Sequence, residues 1–340
     1  MANFKKILVV TTTRDIGVDF IIKKLRSIDG IKVFRFNIDD YPSKITINTR
    51  LSEDGEVESV IHFPYQDTLK TSEIYSAFYR REAEAIINQR FENKEDKLFA
   101  KVEIIGHLDT LWDTINCFWV NHPRYSTHLM TKVAQTHYAG SVGFRVPKTI
   151  ISTDPKELRK FYQKCKGKVV VKQLGNARGA QDWIEGRMYT VKVTREHLKL
   201  LDKLACVPVM MQEQVEKKSE LRITVVGNDV FAVEIDSQSN SETKIDWRHG
   251  HIGKLPHKIY ALPLEIKKKL ISLHKELNLL YSGTDMIITP RGEYVLLELN
   301  ANGEYVWTEI LTKLPITEAI VQLLINQKPF DKRGTNPFHK

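Results

Sequence analysis

Cysteine is scarce in this sequence, which has only three among 340 residues: Cys117, Cys165 and Cys206. An odd number of cysteines without metal-ligand spacing argues against both a disulfide framework and a zinc site. We therefore interpret all three as reduced thiols, and we expect a cytoplasmic protein.

Long apolar runs are also missing. No stretch approaches the roughly 20 apolar residues that cross a bilayer, and a strand pattern at residues 4–10 stands where a signal peptide would be. Hydrophobic residues make up 42% and charged residues 27%, which is ordinary for a soluble globular protein. The sequence therefore predicts no association with membranes.

The formal net charge of +9 is the main compositional excess. A basic protein can attract nucleic acid, an anionic membrane or an acidic substrate. Neither zinc-finger spacing nor an aromatic RNA-binding signature accompanies this charge, and runs such as the three lysines at 267–269 are typical of solvated helix faces. We expect no nucleic-acid partner, which leaves anionic small molecules or peptides as candidates.

The N-terminal part alternates strand and helix patterns. Apolar residues at 4–10 and 31–36 predict strands, and an amphipathic helix between them ends at Gly30. Strand–helix–strand order is typical of α/β domains. A hairpin is expected over 45–63 around a Glu-Asp-Gly turn, and 82–118 has a largely helical pattern. We place the end of this first domain, 1–122, between His122 and Pro123.

Two further blocks are predicted, residues 123–208 and 209–330. The first of them has a clear helix start, because Asp154 precedes Pro155 and Glu157 follows three positions on, as in a capping box. The other elements predicted in the two blocks are helices over 124–139, 264–280 and 315–326 and strands over 144–151, 168–174, 187–194, 209–215 and 221–236.

Near the C-terminal end, oxygen-bearing side chains interrupt two apolar strands. A tight turn joins the strands and brings Asp285 close to Glu298 and Asn300. Alternation along the second strand turns Glu298 and Asn300 to one face and Leu297 and Leu299 to the other. Buried carboxylates need a positive partner, and Mg²⁺ accepts a few of them together with phosphate oxygens. The alternative is a solvated hairpin edge with unrelated acids.

A lysine and a loop of small residues offer an anion site. Lys172 ends a buried strand, and the following loop contains Gly175 and Gly179, where backbone N–H groups can approach an anion closely. The loop is not a Walker P-loop, because the Gly-Lys-Ser/Thr ending is missing. Lys132 on the preceding helix is a second candidate phosphate ligand, with a solvated surface lysine as the alternative interpretation.

Charged residues also lie on or beside the later strands. Arg222 has apolar neighbours, so its charge needs a partner such as a phosphate or Glu298. Asp236 ends the next apolar strand, and Arg248 follows in a loop, where an arginine can grip a carboxylate bidentately. The His-Gly-His sequence beside Arg248 is interpreted as an exposed loop, because no further ligands frame it as a metal site.

The order of these features, from about residue 124 to residue 325, resembles the core of ATP-grasp ligases. Among these, the ligases that macrocyclise ribosomal peptides (microviridin-type ligases, or graspetide synthetases) fit best. Four segments carry this resemblance: 78–81 (Phe-Tyr-Arg-Arg), 119–123 (Trp-Val-Asn-His-Pro), 143–149 (Gly-Phe-Arg-Val-Pro-Lys-Thr) and 298–307 (Glu-Leu-Asn-Ala-Asn-Gly-Glu-Tyr-Val-Trp). Glu82 and Ala301 depart from it, since proline is expected at both positions.

The resemblance implies an α/β chain with α+β lobes, the ATP-grasp fold and an N-terminal α/β pre-ATP-grasp domain. It also implies that ATP and Mg²⁺ are bound, the metal by Asp285, Glu298 and Asn300. The implied ATP-binding residues are Lys132, Lys172, Gly175, Gly179, Gln212, Glu213, Val215 and Glu220, with Glu213 and Val215 at the adenine edge and Glu220 near the ribose. The implied catalytic residues are Arg222, at the phosphates, and Arg248 and Asp236, which face the substrate.

The implied reaction joins side chains of one precursor peptide. ATP phosphorylates an Asp or Glu side chain to an acyl phosphate, and a Ser or Thr hydroxyl or a Lys amine of the same peptide attacks it, closing an ester or amide ring. The implied partner is a peptide with a leader segment and an acidic core. Two alternatives stay open: another ATP-grasp carboxylate–amine ligase, or a non-catalytic ATP-binding protein. A homodimer is one option for the oligomeric state.

Overall fold

The computed structural model describes residues 4–81, 92–127, 131–174, 189–204, 206–250 and 255–328. Its strands are β1 (Lys5–Thr11), β2 (Ile31–Asn37), β3 (Thr46–Leu51), β4 (Val57–His62), β5 (Leu69–Lys70), β6 (Ile74–Tyr79), β7 (Phe118–Val120), β8 (Thr149–Ser152), β9 (Val169–Lys172), β10 (Val191–Lys192), β11 (Val209–Glu213), β12 (Ser219–Val226), β13 (Asp229–Ile235), β14 (His257–Ile259), β15 (Tyr281–Ile288) and β16 (Tyr294–Asn300). Its helices are α1 (Gly17–Arg26), α2 (Lys94–Thr114), α3 (Pro123–Thr127), α4 (Lys132–Ser141), α5 (Pro155–Lys164), α6 (Arg195–Lys199), α7 (Leu264–Glu276), α8 (Val306–Thr312) and α9 (Ile316–Asn326). Within these ranges, no helix combines the length and the apolar character needed to cross a membrane.

The N-terminal sheet has the parallel strand order β2-β1-β6-β7, which confirms the predicted α/β class. Alternate side chains of β1 are buried on opposite faces, as strand geometry requires. Ile7 and Val9 pack with α1 and α9, whereas Leu8 and Val10 pack with α2. Helix α9 comes from the C-terminal end of the chain, so the core of this first sheet includes residues from both ends of the sequence.

A small antiparallel sheet, β3-β4-β5, follows β2 in the chain and packs on the same side as α2. Its first two strands confirm the hairpin predicted over 45–63, and Gly55 in the turn has a φ of +85°, which favours glycine. The helix predicted over 82–118 is observed as α2, capped at its start by the Asn93 side chain. Residues 82–91 lie outside the described ranges, and residue 118 begins β7 instead of ending the helix.

The central sheet has the antiparallel order β10-β9-β11-β8. Helix α5 packs beside it and begins as predicted, because the Asp154 side chain accepts a hydrogen bond from the Lys156 N–H at 2.8 Å. Strand β11 lies between β8 and β9, so the domain boundary predicted after residue 208 falls just before a strand of this sheet. The chain then runs directly from β11 into the next sheet.

The C-terminal sheet has the antiparallel order β14-β13-β12-β15-β16. On β12, Leu221, Ile223 and Val225 face a core that α7 and α4 cover. Alternation turns Glu220 and Arg222 to the opposite face of the strand. Polar and charged side chains are therefore concentrated on one face of the sheet.

Candidate active site

A cavity of about 350 Å³ lies between the central and C-terminal sheets. Several elements line it: the end of β9, the chain from β11 to β12, strands β15 and β16, and the loop around residues 244–248. Eight residues predicted from the sequence contribute to its walls: Lys172, Gln212, Glu213, Val215, Glu220, Arg248, Asp285 and Glu298. Gly175 and Gly179 lie outside the described residues.

Asp285 and Glu298 are direct neighbours across β15 and β16. The register shifts at this point, because Met286 pairs with Leu296 and leaves Leu297 as an extra residue in a β-bulge. Leu297 consequently lines the cavity beside Glu298, so the simple alternation predicted for Leu297 is wrong. A bulge depends on the partner strand, and the sequence of one strand does not reveal it.

Arg222 is buried and pairs with Asp285. Its Nη1 donates to Asp285 Oδ1 at 3.0 Å, and its Nη2 donates to the carbonyl oxygen of Glu304 at 2.8 Å. The partner suggested by the sequence was a phosphate or Glu298, but the cross-strand register places Asp285 opposite Arg222. Gly283 makes room for this arginine, since a Cβ at Gly283 would lie 2.3 Å from Arg222 Nη2.

Lys132, the first residue of α4, reaches the other carboxylate. Its Nζ donates to Glu298 Oε1 at 2.7 Å, and its side chain is 19% exposed, so it is not the solvated surface lysine of the alternative interpretation. Burial of Glu298 opposes ionisation, but the charge and hydrogen bond of Lys132 outweigh it and lower the pKa of Glu298. Glu298 is therefore ionised at neutral pH.

Lys172 stands at the end of β9 and lines the cavity. Burial lowers the pKa of its ammonium group, and the charge of Glu298 is the largest effect that opposes this shift. Among the described residues, no carboxylate forms an ion pair with Lys172 within 4.0 Å. A half-buried cation without such a partner favours an anionic ligand in the cavity.

Four described residues of the predicted site do not line the cavity: Arg222 and Lys132, which bind Asp285 and Glu298, and also Asp236 and Asn300. Asp236 is exposed, because β13 ends at Ile235 and the chain turns, and its carboxylate accepts a hydrogen bond from the Ser239 N–H at 3.2 Å. Asn300 is half-buried at the end of β16, where it pairs with Gly283, two residues beyond Glu298. Asp236 caps a turn in this structure, and Asn300 lies at the end of the strand that carries Glu298.

The chain from β11 to β12 forms a mixed polar and apolar wall. Gln212 is buried and donates from Nε2 to Thr149 Oγ1 at 3.1 Å. The Glu213 N–H donates to the Lys148 carbonyl at 2.8 Å, which fixes this chain against the central sheet. Val215 packs with Ile287 and other apolar residues of β15 and β16. An apolar surface that is bordered by backbone N–H and C=O groups suits a flat aromatic ring.

Sequence reasoning missed Lys217. This residue forms an ion pair with Glu220, with 2.6 Å between Nζ and Oε1, and the two side chains are 8% and 7% exposed. Lys217 also donates to the Ile245 carbonyl at 3.0 Å, which ties the loop at 244–248 to β12. Burial raises the pKa of Glu220, and the neighbouring lysine opposes this effect. The only sequence signal was an acid three residues after a base, which is common on surfaces.

Asp246 was also missed, although it holds Arg248 in place. Its carboxylate accepts hydrogen bonds from Arg248 Nε at 2.8 Å, from the Arg248 N–H at 3.1 Å and from the Thr190 N–H at 3.0 Å. The hydrogen bond to Asp246 raises the pKa of Arg248. His249 stacks on Tyr189, with ring centroids 4.1 Å apart, and is exposed as predicted. The guanidinium of Arg248 is thus fixed while it faces the cavity.

The donor set fits a nucleotide polyphosphate with a divalent cation. Lys172 supplies a positive charge that no carboxylate in the described part of the chain pairs with, and Asp285 and Glu298 supply adjacent carboxylates. Within the described residues, no group of three or more His, Cys, Asp or Glu side chains could hold a metal ion. A magnesium ion at Asp285 and Glu298 would therefore need phosphate oxygens or water to complete its coordination, which is how Mg²⁺ is commonly bound beside nucleotides.

Two family models together cover most of the chain. The MvdD pre-ATP grasp domain matches residues 6–126. The RimK-like ATP-grasp domain matches residues 127–324. A comparison with curated proteins returned no match.

Solved structures with the same fold include one ligase and two macrocyclases. A Chryseobacterium gregarium RiPP-associated ATP-grasp ligase, solved with ADP and a leader and core peptide, is 31% identical, with 96% of this chain and 98% of that chain covered and a TM-score of 0.86. The macrocyclase MdnC of Microcystis aeruginosa MRC, solved with the precursor peptide MdnA, is 28% identical, with 94% and 99% covered and a TM-score of 0.83. The macrocyclase MdnB of the same organism is 24% identical, with 94% and 99% covered and a TM-score of 0.78, and its likeness concerns the fold.

Proposed function

Because the chain belongs to the RimK-like ATP-grasp ligases and has an MvdD-type pre-ATP-grasp domain before the ligase core, we propose that it macrocyclises a ribosomally synthesised precursor peptide. The observation that carries this proposal is that cations and carboxylates line the same cavity. Lys172 and Arg248, both cations, face the same space as the carboxylates of Asp285 and Glu298. A polyphosphate and an acidic side chain of a substrate can be neutralised together there.

We assign the inner part of the cavity to ATP. Lys172 and Lys132 would hold phosphates, Glu213 and Val215 would contact the adenine, and Glu220 would accept a hydrogen bond from the ribose. Gln212 would support the wall that contacts the adenine, since its side chain is held by a hydrogen bond to Thr149. The cavity volume of about 350 Å³ is within the range of small-molecule sites, which begins at about 300 Å³.

Asp285, Glu298 and Asn300 would hold Mg²⁺, which supplies neutralisation of the charge on the phosphates and on the transferred group. Both carboxylates now have protein cations as partners, Arg222 and Lys132. We infer that these cations hold the two carboxylates close together before the nucleotide binds. The residues then present a preorganised pair of oxygen ligands.

The proposed reaction has two steps. An oxygen of an Asp or Glu side chain of the peptide attacks the γ-phosphorus of ATP, ADP leaves, and an acyl phosphate forms on the peptide. A Ser or Thr hydroxyl or a Lys amine of the same peptide then attacks the acyl carbon, loses its proton and expels inorganic phosphate. Each ring removes the elements of one water molecule from the peptide. The chain needs to position the reactants and neutralise charge, as in phosphoryl transfer in general.

Arg248 is the residue that we assign to the peptide carboxylate. It is fixed by Asp246 through Nε and the backbone N–H. Within the described residues, its Nη1 group has no hydrogen bond, so it can donate to a substrate carboxylate or acyl phosphate. We propose that the preferred peptide has a leader segment and an acidic core. The requirement for ATP supports a cytoplasmic location.

Intact mass of a candidate precursor peptide tests the proposal. The peptide, taken from a neighbouring gene, is incubated with the protein, ATP and Mg²⁺. Loss of about one water mass per ring, without added mass, would support intramolecular condensation. Phosphate release that requires free amino acids, with an unchanged peptide mass, would overturn macrocyclisation and favour another carboxylate–amine ligase activity.

A further inference from the structure

The N-terminal sheet is connected to the ligase core by two consecutive arginines. Arg80, the residue after β6, is fully buried and donates from Nη1 to the Asn302 carbonyl at 2.8 Å and from Nη2 to Glu304 Oε2 at 2.5 Å. Arg81 donates to the same Glu304 oxygen at 2.6 Å. Both arginines therefore bind the loop at 301–305, which directly follows β16 and its carboxylate Glu298.

Glu304 continues this connection to the active site. Its carboxylate binds the two arginines of the N-terminal unit, and its backbone carbonyl accepts a hydrogen bond from Arg222 at 2.8 Å. Arg222 in turn pairs with Asp285 at 3.0 Å. A chain of hydrogen bonds thus leads from Arg80 and Arg81 through the side chain and the backbone of Glu304 to Arg222 and Asp285.

The loop at 301–305 is fixed closely against the sheet. A Cβ on Gly303 would lie 2.6 Å from the Gly283 Cα, so the two backbones touch where the loop crosses β15. Tyr281 also donates from its hydroxyl to the Gly303 carbonyl at 2.5 Å. The Arg222 side chain lies in the same contact, since a Cβ on Gly303 would be 2.8 Å from its Nη2. A shift of the loop would therefore move the arginine as well.

Docking alone does not require these charges. The apolar cluster that includes α1, α9, Phe78 and Tyr281 already joins the N-terminal sheet to the C-terminal part. Burying a guanidinium in such an interface is costly unless its partners are well placed. Arg80 has Asp15 as a second carboxylate partner, with 3.7 Å between Nε and Oδ2. The buried charges suggest a role in placing the loop, beyond holding the two parts together.

We propose that Arg80, Arg81 and Glu304 are positioning residues, which set the place of Arg222 and, through it, of the nucleotide-side carboxylate Asp285. The nucleotide site would then be complete only when the N-terminal unit is docked. This inference rests on the nucleotide site of the proposed function, but it does not depend on the identity of the peptide.

Calorimetric binding of ADP in the presence of Mg²⁺ tests the inference without any peptide. Glu304→Gln keeps the size and the backbone carbonyl of the residue but removes the charge that binds Arg80 and Arg81. We expect its dissociation constant for ADP to rise about tenfold, which is typical when a supporting partner of a ligand-binding residue is lost. Arg81→Met should raise the constant as well. The double variant should be little worse than either single one, because all three residues act through one contact.

The chain offers a matched control in a second ion pair between its two ends. Lys24 on α1 and Glu318 on α9 are joined at 2.9 Å, and neither touches the loop at 301–305. Glu318→Gln makes the same chemical change as Glu304→Gln at this pair. We expect its ADP dissociation constant to equal that of the wild type, while the melting temperatures of both variants report on the interface.

The outcomes are distinct. An unchanged ADP dissociation constant in a folded Glu304→Gln protein would overturn the inference, and so would an equal loss in Glu318→Gln, because the cause would then be general loosening. Recovery in Arg81→Lys relative to Arg81→Met would support a role of the charge. If the peptide is never cyclised but the ADP constants behave as expected, the positioning role stands and the proposed peptide chemistry falls.

Discussion

Two aspartate–arginine pairs belong to the site, and they differ in what their arginines can still bind. In the sheet, the side chain of Arg222 is 7% exposed and is used by Asp285 and the carbonyl of Glu304. On the loop, Arg248 is 43% exposed although Asp246 holds its Nε and backbone N–H. The first pair is part of the framework, whereas the second presents a fixed guanidinium to the cavity.

The difference shows that an ion pair can serve opposite purposes. A buried arginine whose two Nη groups are both bound orders the residues around it, and its loss should affect folding and nucleotide binding together. An arginine that is held by one edge keeps donors available for a substrate. Its loss should affect turnover with little change in stability. Substitutions on the two sides of the site therefore distinguish these two cases.

The largest effect is expected for Glu298→Gln, because Glu298 is the cross-strand neighbour of Asp285 and would share its metal ion. Turnover should fall at least about a hundredfold, while the protein stays folded. The measurement is ring formation by mass spectrometry beside far-UV circular dichroism. Glu293→Gln is the matched control, since Glu293 lies just before β16 and pairs with Arg145 away from the cavity. Wild-type turnover in Glu298→Gln would exclude the magnesium assignment.

Arg222→Met should lower both stability and nucleotide binding. The change leaves Asp285 without its cation and the Glu304 carbonyl without its donor. Breaking a buried pair costs about 3–5 kcal/mol, and the partial exposure of Asp285 reduces this to about 2–3 kcal/mol. Urea unfolding measures the loss, and Arg222→Lys should recover part of it because the charge remains. If Arg222→Met matches the wild type in both assays, the framework role is refuted.

Arg248→Met should change turnover alone. We expect the rate of ring formation to fall about a hundredfold, because one donor to a developing negative charge is lost. The free energy of unfolding should fall by less than about 1 kcal/mol, as for other half-exposed pairs. Arg145→Met is a matched control, since the Arg145 side chain is also 43% exposed and paired with a glutamate. Normal ring formation in Arg248→Met would remove Arg248 from the site.

The sequence predicted the local parts of this structure well. The helix start at Asp154 and the hairpin around Gly55 depend on neighbours within a few residues, and both are observed. The approach of Asp285 to Glu298 follows from one short turn between two apolar strands. These three predictions succeeded because the residues that determine each feature lie close together in the sequence.

Features that depend on pairing with another segment were not predicted. The bulge at Leu297 lies within a short hairpin, but it depends on the register with β15, which alternation along one strand does not reveal. Asp246 and Lys217 look like surface charges in the sequence, yet their partners bury them. The pairing of Arg80 with Glu304 joins residues 224 positions apart, although both lie in segments that resemble family motifs. Burial and pairing arise only when the sheets assemble, so no local pattern reveals them.

The smallest expected effect is a loss of folding stability at acidic pH, caused by protonation of Asp246 in its pair with Arg248. Burial of Asp246 opposes its ionisation, but the hydrogen bonds and charge of Arg248 outweigh burial and lower the pKa of Asp246 from 3.8 to about 2. A carboxylate whose pKa falls on folding stabilises the native state above its unfolded pKa, and this contribution is lost as the pH drops through the folded pKa. We expect a pH-dependent contribution of less than about 1 kcal/mol, reduced from the full shift because Arg248 is partly exposed.

Urea unfolding of the wild type and of Asp246→Asn at several pH values measures this contribution. The difference in free energy of unfolding should be constant from about pH 7 to about pH 5 and should shrink between about pH 4 and about pH 2, where Asp246 takes up its proton. A difference that already changes between about pH 7 and about pH 5 would contradict the assignment, since a carboxylate with a lowered pKa stays ionised in that range. A constant difference there means that Arg248 stays fixed at the pH of the proposed reaction, so a pH dependence of ring formation would not come from the Asp246–Arg248 pair.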